Sequence, residues 1–237
     1  MNKINTKDFY SQWSGHPKND LKILHNHLRT LRKDIIWLAG DSSLDNKAWL
    51  INASKPTETH YREIALEKAL EKAKKNSYQS LMSNAINGYQ SILNEPYMVQ
   101  DISYHLNGYC VSVNQLKQLA CINTSVEAST LKDRNGKNLK EQDELIKNKI
   151  MTNDYLIVSV GGNDIAFGAI EDKTLLKSMI LLIYGTFTTL LKKNRFRKGK
   201  REALSILNEK PSHTYTIKTL LKELIDKILS KNPSFKI

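Results

Sequence analysis

Asp34-Ile-Ile-Trp-Leu-Ala-Gly-Asp-Ser-Ser-Leu-Asp-Asn-Lys-Ala-Trp49 is the stretch that decides the fold. Ile35 to Leu38 form a short unbroken apolar run, as a fully buried strand requires. Ala39 and Gly40 allow a tight turn, and polar residues follow at once. A hydroxyl where a buried strand ends lies at the carboxyl edge of a sheet, where open α/β folds keep their ligand sites. Ser42 is therefore a candidate nucleophile. Read alone, Asp41 and Ser42 serve equally as caps of a following helix, the plainer interpretation of so short a motif.

A second strand of the same kind is Tyr155-Leu-Ile-Val-Ser-Val160, apolar almost throughout and expected to be central and covered on both faces. It too runs into glycines and hydrogen-bonding side chains, Gly161-Gly-Asn-Asp164. Two strand-then-glycine turns with helical sequence between them argue for parallel strands joined by right-handed crossovers, hence an α/β fold. Ser42 and Asn163 then meet at one edge of the sheet.

The rest of the chain supplies the covering helices. Leu21, Ile23, Leu24, Leu28 and Leu31 repeat at near-helical spacing within an N-terminal helical extension, 1–33. His25 and His27 lie two apart there and point to different faces, so they share no metal. A charged amphipathic helix runs from about 58 to 75 with a stripe of Ile64, Leu66, Ala69, Leu70 and Ala73. Helical sequence resumes over 78–86 and stops at Asn87-Gly88, so 58–95 reads as a helical insertion. A short helix is expected within 89–106 and another over 114–119, then a strand from Ala120 passing into a polar turn. Further helices are expected over 139–150, over the apolar stretch 174–191 and over 214–231. The 174–191 stretch, interrupted by Lys177, is too short and broken for a membrane span and reads as a buried helix.

With 237 residues and an apolar fraction of 40%, the chain can bury one substantial core, and a single domain over 1–237 is expected. Cys110 and Cys121 define neither a metal spacing nor a disulfide framework. They read as reduced packing residues, and the polar N-terminus carries no secretory signal, so a cytoplasmic protein is expected. Neither a metal nor a cofactor is indicated. The net charge of +12 owes much to Lys192-Lys-Asn-Arg-Phe-Arg-Lys-Gly-Lys-Arg201, with seven cations in ten positions. Such a run reads first as a solvated loop; the alternative is a contact for nucleic acid or an anionic membrane surface.

Gly40-Asp41-Ser42 with Leu44-Asp45-Asn46, and Gly161-Gly162-Asn163-Asp164, together resemble the first and third blocks of the SGNH hydrolases, the GDSL-type esterases and lipases. Asn123-Thr-Ser-Val-Glu-Ala-Ser-Thr130 stands where that family's second block carries a glycine after a strand, with Ala128 at the glycine's place. The wording Gly40-Asp-Ser-Ser-Leu-Asp-Asn-Lys47, with Asn87-Gly88-Tyr89 and Val158-Ser-Val-Gly-Gly-Asn-Asp-Ile165, is similar to a branch found in microbial eukaryotes and large viruses. The resemblance covers roughly 35–167. It implies a three-layer α/β/α, flavodoxin-like fold and a serine hydrolase acting on small carboxylic esters. Ser42 matches the nucleophile, with Ala128 and Asn163 matching the oxyanion donors; Asp41, Asp45 and Gly162 are candidates for the pocket wall.

The resemblance also implies a C-terminal Asp-x-x-His, and none of the six histidines has aspartate three places before it. His213, with Lys210 in that place and Glu209 before it, is the fallback base. Ser234-Phe-Lys-Ile237 looks like the start of a further strand, so the sheet is expected to be incomplete at the C-terminus. A non-catalytic binding protein of the same fold is the alternative to the hydrolase, and the basic run offers a third.

Overall fold

A computed structural model of the protein describes residues 3–50, 59–75, 80–134 and 139–160, with residues 163, 224, 226 and 228. The chain divides into two compact units: Met1–Ser129 with Leu139–Ser159 and Lys227–Ile237, and Thr130–Asn138 with Val160–Asp226.

The first unit carries, in chain order, α1 (Thr6–Ser11), α2 (Lys18–Thr30), β1 (Asp34–Gly40), α3 (Lys47–Leu50) and α4 (Thr59–Lys74). Next come β2 (Met82–Asn84), α5 (Tyr89–Ile92), β3 (Tyr97–Val99), α6 (Ile102–Ser112), β4 (Leu119–Asn123), α7 (Glu141–Lys149) and β5 (Tyr155–Ser159). The protein is α/β: β4, β1 and β5 form a parallel sheet in that order, with Leu38 opposite Asn123 and Gly40 opposite Ser159.

Helices cover both faces of β1. Successive strand side chains point to opposite sides. His25 of α2 stacks on Trp37 at 5.3 Å between ring centres. Leu38 packs instead with Leu44 and Cys121, and with Ile102 and Leu106 of α6. The sheet therefore lies between α2 and α6. Leu21, Leu24 and Leu28 of α2 are buried, as their spacing predicts, and so are both histidines. His27 turns away from Trp37, its Nε2 lying 2.8 Å from the Ser91 hydroxyl.

Buried polar side chains complete the backbone bonding that the sheet leaves open. Asp154 accepts from Ile35 N at 2.8 Å, Trp37 Nε1 at 3.0 Å, Met151 N at 2.9 Å and Arg29 at 2.5 Å. On the side of β4 away from β1, the Asn107 carboxamide accepts from Cys121 N at 2.9 Å and donates to Cys121 O at 3.0 Å. The Tyr89 hydroxyl donates to the same carbonyl at 2.7 Å.

Three sequence expectations change. Residues 80–86 are not helical: Met82–Asn84 pairs antiparallel with Tyr97–Val99, so the 58–95 segment is helical only in part. Strand pairing outweighs local helix propensity over so short a run. Asn87 and Gly88 do not stop a helix; both adopt positive φ, and Gly88 caps the start of α5. Among the described residues the central strand is β1, whereas Tyr155 and Ile157 of β5 are exposed. An apolar run marks a strand without saying how many neighbours it has.

In the second unit, Thr130 and Asp133 hold a turn reciprocally, Thr130 N to Asp133 Oδ2 at 3.1 Å and Asp133 N to Thr130 Oγ1 at 3.0 Å. Leu131 and Arg134 are buried. Leu224 is helical and buried and Asp226 helical and exposed, while in the first unit Ile228 is helical and buried, each as the 214–231 periodicity predicts. Among the described residues no helix is long and apolar enough to cross a membrane.

Candidate active site

The turn after β1 is built on a close approach that only glycine permits. A Cβ at Gly40 would run into the Ser159 carbonyl oxygen and lie 2.9 Å from Leu44 Cδ1. Beyond it, Asp41 N donates to Ser159 O at 3.1 Å. Leu44 N and Asp45 N then both donate to Asp41 O, at 3.0 and 2.9 Å, closing a tight turn around Ser42 and Ser43. Asp41 is buried; its Oδ1 accepts from Ser43 N at 3.0 Å. Ser42 is half-buried, and neither its N–H nor its hydroxyl bonds to a described residue.

The turn after β4 is laid directly alongside. Leu38 O accepts from Thr124 N at 3.0 Å and from the Ser125 hydroxyl at 3.2 Å. Gly40 O accepts from Val126 N at 2.9 Å and from the Ser129 hydroxyl at 3.4 Å. The β4 chain thus follows β1 past the strand end, and Ala128 comes to the carboxyl edge that bears Ser42. Ala128 is exposed, with φ of 58°, in the left-handed region that favours glycine. Its N–H donates to no described residue.

Asp45 is wholly buried, and both its carboxylate oxygens are engaged. Its Oδ1 pairs with Lys47 Nζ at 2.6 Å, both side chains having 0% exposure. Its Oδ2 accepts from Gly15 N at 2.6 Å and from Glu127 N at 2.8 Å. Two charges this deep cost several kcal/mol each to desolvate (about that order), so the pair persists through mutual attraction and these extra bonds. One carboxylate therefore ties three segments together: the N-terminal turn, the Ser42 turn and the Ala128 turn.

His16 lies within reach of the same charges. Burial first, and the Lys47 ammonium second, depress its imidazole from 6.5 to about 3. Its Nδ1 lies 2.7 Å from Phe9 O and its ring stacks on Phe9 at 4.1 Å. An imidazole this acidic is a poor general base near neutrality, where the best catalytic base has a pKa close to the working pH. His16 is a packing residue.

Asn163 belongs to the second unit, where it is helical and half-buried. Gly162, His213, the basic run 192–201 and the apolar stretch 174–191 lie outside the described residues.

The contribution of Ser14 and Gly15 was invisible in the sequence, which marks them only as part of a polar leader to α2. Their one signal is Gly15 itself: its φ of 74° and the 2.8 Å approach that a Cβ would make to Gln142 Nε2 demand glycine. No family model, curated protein or solved structure gives a significant match to the chain.

Proposed function

We propose that the protein is a hydrolase of carboxylic esters, of the SGNH kind, with Ser42 as nucleophile. The observation that carries this reading is the pair of N–H groups, Ser42 and Ala128, that donate to no described residue, on turns held side by side through the Gly40 carbonyl. Two fixed donors on the turn that bears a serine nucleophile and on the turn beside it are what an acyl-transfer site needs. The left-handed backbone at Ala128 supports it too, since the SGNH pattern has glycine there.

In this reaction the Ser42 oxygen attacks the ester carbonyl carbon and loses its proton to a base. The carbonyl oxygen becomes an oxyanion, which accepts hydrogen bonds from the Ser42 and Ala128 N–H groups. Collapse expels the alcohol, which takes up the proton, and leaves an acyl-serine that water hydrolyses. Asn163 enters as a third donor on the resemblance alone; losing such a donor costs about 3 kcal/mol of transition-state stabilisation. The two cysteines are free and buried, which accords with work in a reducing compartment such as the cytoplasm.

A second reading, a binding protein that keeps the oxyanion cradle without turnover, is favoured by one feature: His16, which lies within reach of the Asp45–Lys47 pair, is too acidic to serve as base. A fluorophosphonate probe decides between them. Labelling of Ser42, lost in Ser42→Ala, supports the hydrolase. Absence of labelling in the folded wild type overturns it and leaves the binding protein.

A further inference from the structure

We infer that Ser14 is a positioning residue for the oxyanion site, setting the orientation of the Glu127–Ala128 peptide from outside the reacting centre. The Ser14 hydroxyl donates to Glu127 O at 2.9 Å. That carbonyl belongs to the same peptide as the Ala128 N–H. The peptide is trans, so an acceptor fixed toward Ser14 sends the donor the opposite way, away from residues 14–16. A hydrogen bond on the carbonyl also polarises the peptide and strengthens its N–H as a donor.

The 14–16 segment is itself anchored. Gly15 N donates to Asp45 Oδ2 at 2.6 Å, on the carboxylate oxygen that also takes Glu127 N at 2.8 Å. Gln142 Nε2 donates to His16 O at 3.2 Å from the other side. Peptide 127–128 is therefore fixed at the N–H before it and at its own carbonyl, while its own N–H donates to no described residue. A turn that needs φ of 58° at an alanine costs of order 1 kcal/mol, and these two bonds offset that strain. Asp45 is unsuitable for a first test, because breaking its buried ion pair threatens the fold. Ser14 is exposed, so its removal leaves the core intact.

The catalytic consequence rests on the ester-hydrolase reading; the positioning itself does not. The experiment compares wild type, Ser14→Ala and Ser14→Thr, the last retaining the hydroxyl, on a short-chain p-nitrophenyl ester. The Ala128 amide resonance is followed in 15N-labelled protein alongside. Ser14→Ala is expected to lower kcat about tenfold at unchanged KM, the effect of one lost hydrogen bond, with Ser14→Thr restoring it. The Ala128 amide signal is expected to move in Ser14→Ala and return in Ser14→Thr, with melting temperature unaltered. A wild-type kcat in Ser14→Ala, or a change confined to KM, overturns the inference. Should the wild type neither turn over ester nor take the fluorophosphonate, the hydrolase reading fails. The amide signal then decides alone: unmoved in Ser14→Ala it overturns the positioning role, moved and rescued it upholds it.

Discussion

The Ser43 hydroxyl lies 2.7 Å from the Ser159 hydroxyl, across the gap between the turn after β1 and the end of β5. The two adjacent serines are thereby given different work. Ser43 ties strands together, whereas Ser42 bonds to no described residue. Ser43→Ala is expected to leave fluorophosphonate labelling intact and lower only the melting temperature. Ser42→Ala should abolish labelling and cut ester turnover about a thousandfold or more. Mass spectrometry of the labelled peptide distinguishes the two positions.

Lys47→Met leaves the Asp45 carboxylate buried without its counter-ion. Removing one member of such a pair destabilises by about 3–5 kcal/mol. The double variant Asp45→Asn/Lys47→Met should be less damaged than the sum of the single changes, because no lone charge remains. Chemical denaturation of the four proteins in this cycle measures the coupling.

Acid should weaken the fold through His16. Its folded value of about 3 lies below the unfolded 6.5, so the unfolded chain takes up the proton first as pH falls. The stabilisation is whole above pH 6.5 and is lost progressively down to pH 3, by about 5 kcal/mol in the limit. Asp101 acts in the opposite sense: burial raises its carboxyl, so the folded state gains as that group protonates. The difference between wild type and His16→Asn isolates the imidazole. Denaturation midpoints from pH 7 to pH 4 should converge as pH falls, and parallel curves would refute the assignment.

Ala128→Gly removes a Cβ from a backbone at φ of 58° while keeping the N–H. Relief of strain and the added chain freedom of glycine oppose each other, each about 1 kcal/mol. The melting temperature should barely change and ester turnover should match or exceed wild type. Ala128→Val puts a branched side chain into the same conformation and should lose both stability and rate. Thermal melts and initial rates on the three proteins check this.

Much of this was legible in advance. Ile35–Leu38 before Gly40 announced a buried strand, and the structure makes it the centre of the sheet. The parallel strands followed from apolar runs that end in turns, and α2, α4 and α7 from apolar spacing. What escaped was anything set by pairing between distant segments. Met82–Asn84 is a strand only because Tyr97–Val99 lies beside it, and Tyr155 and Ile157 are exposed despite an apolar run. At the site, the glycine turns could be read because backbone geometry constrains residue type. Asp45 could not be placed, because its partners Gly15 and Glu127 stand 30 and 82 positions away. Ser14 left no local trace at all, since a hydroxyl on a distant carbonyl imposes no pattern on its neighbours.

The Asn107 carboxamide that bonds both the N–H and the carbonyl of Cys121 imitates a neighbour strand on the side of β4 where the described residues supply none. A foreign chain seeking to zip onto β4 at that point finds both groups already taken. Natural proteins guard such borders by many devices, and here the guard is the Asn107 amide on α6 with the Tyr89 hydroxyl beside it. Replacing Asn107 by an apolar residue of similar size would reopen the border, turning a folding lesion into a route to self-association.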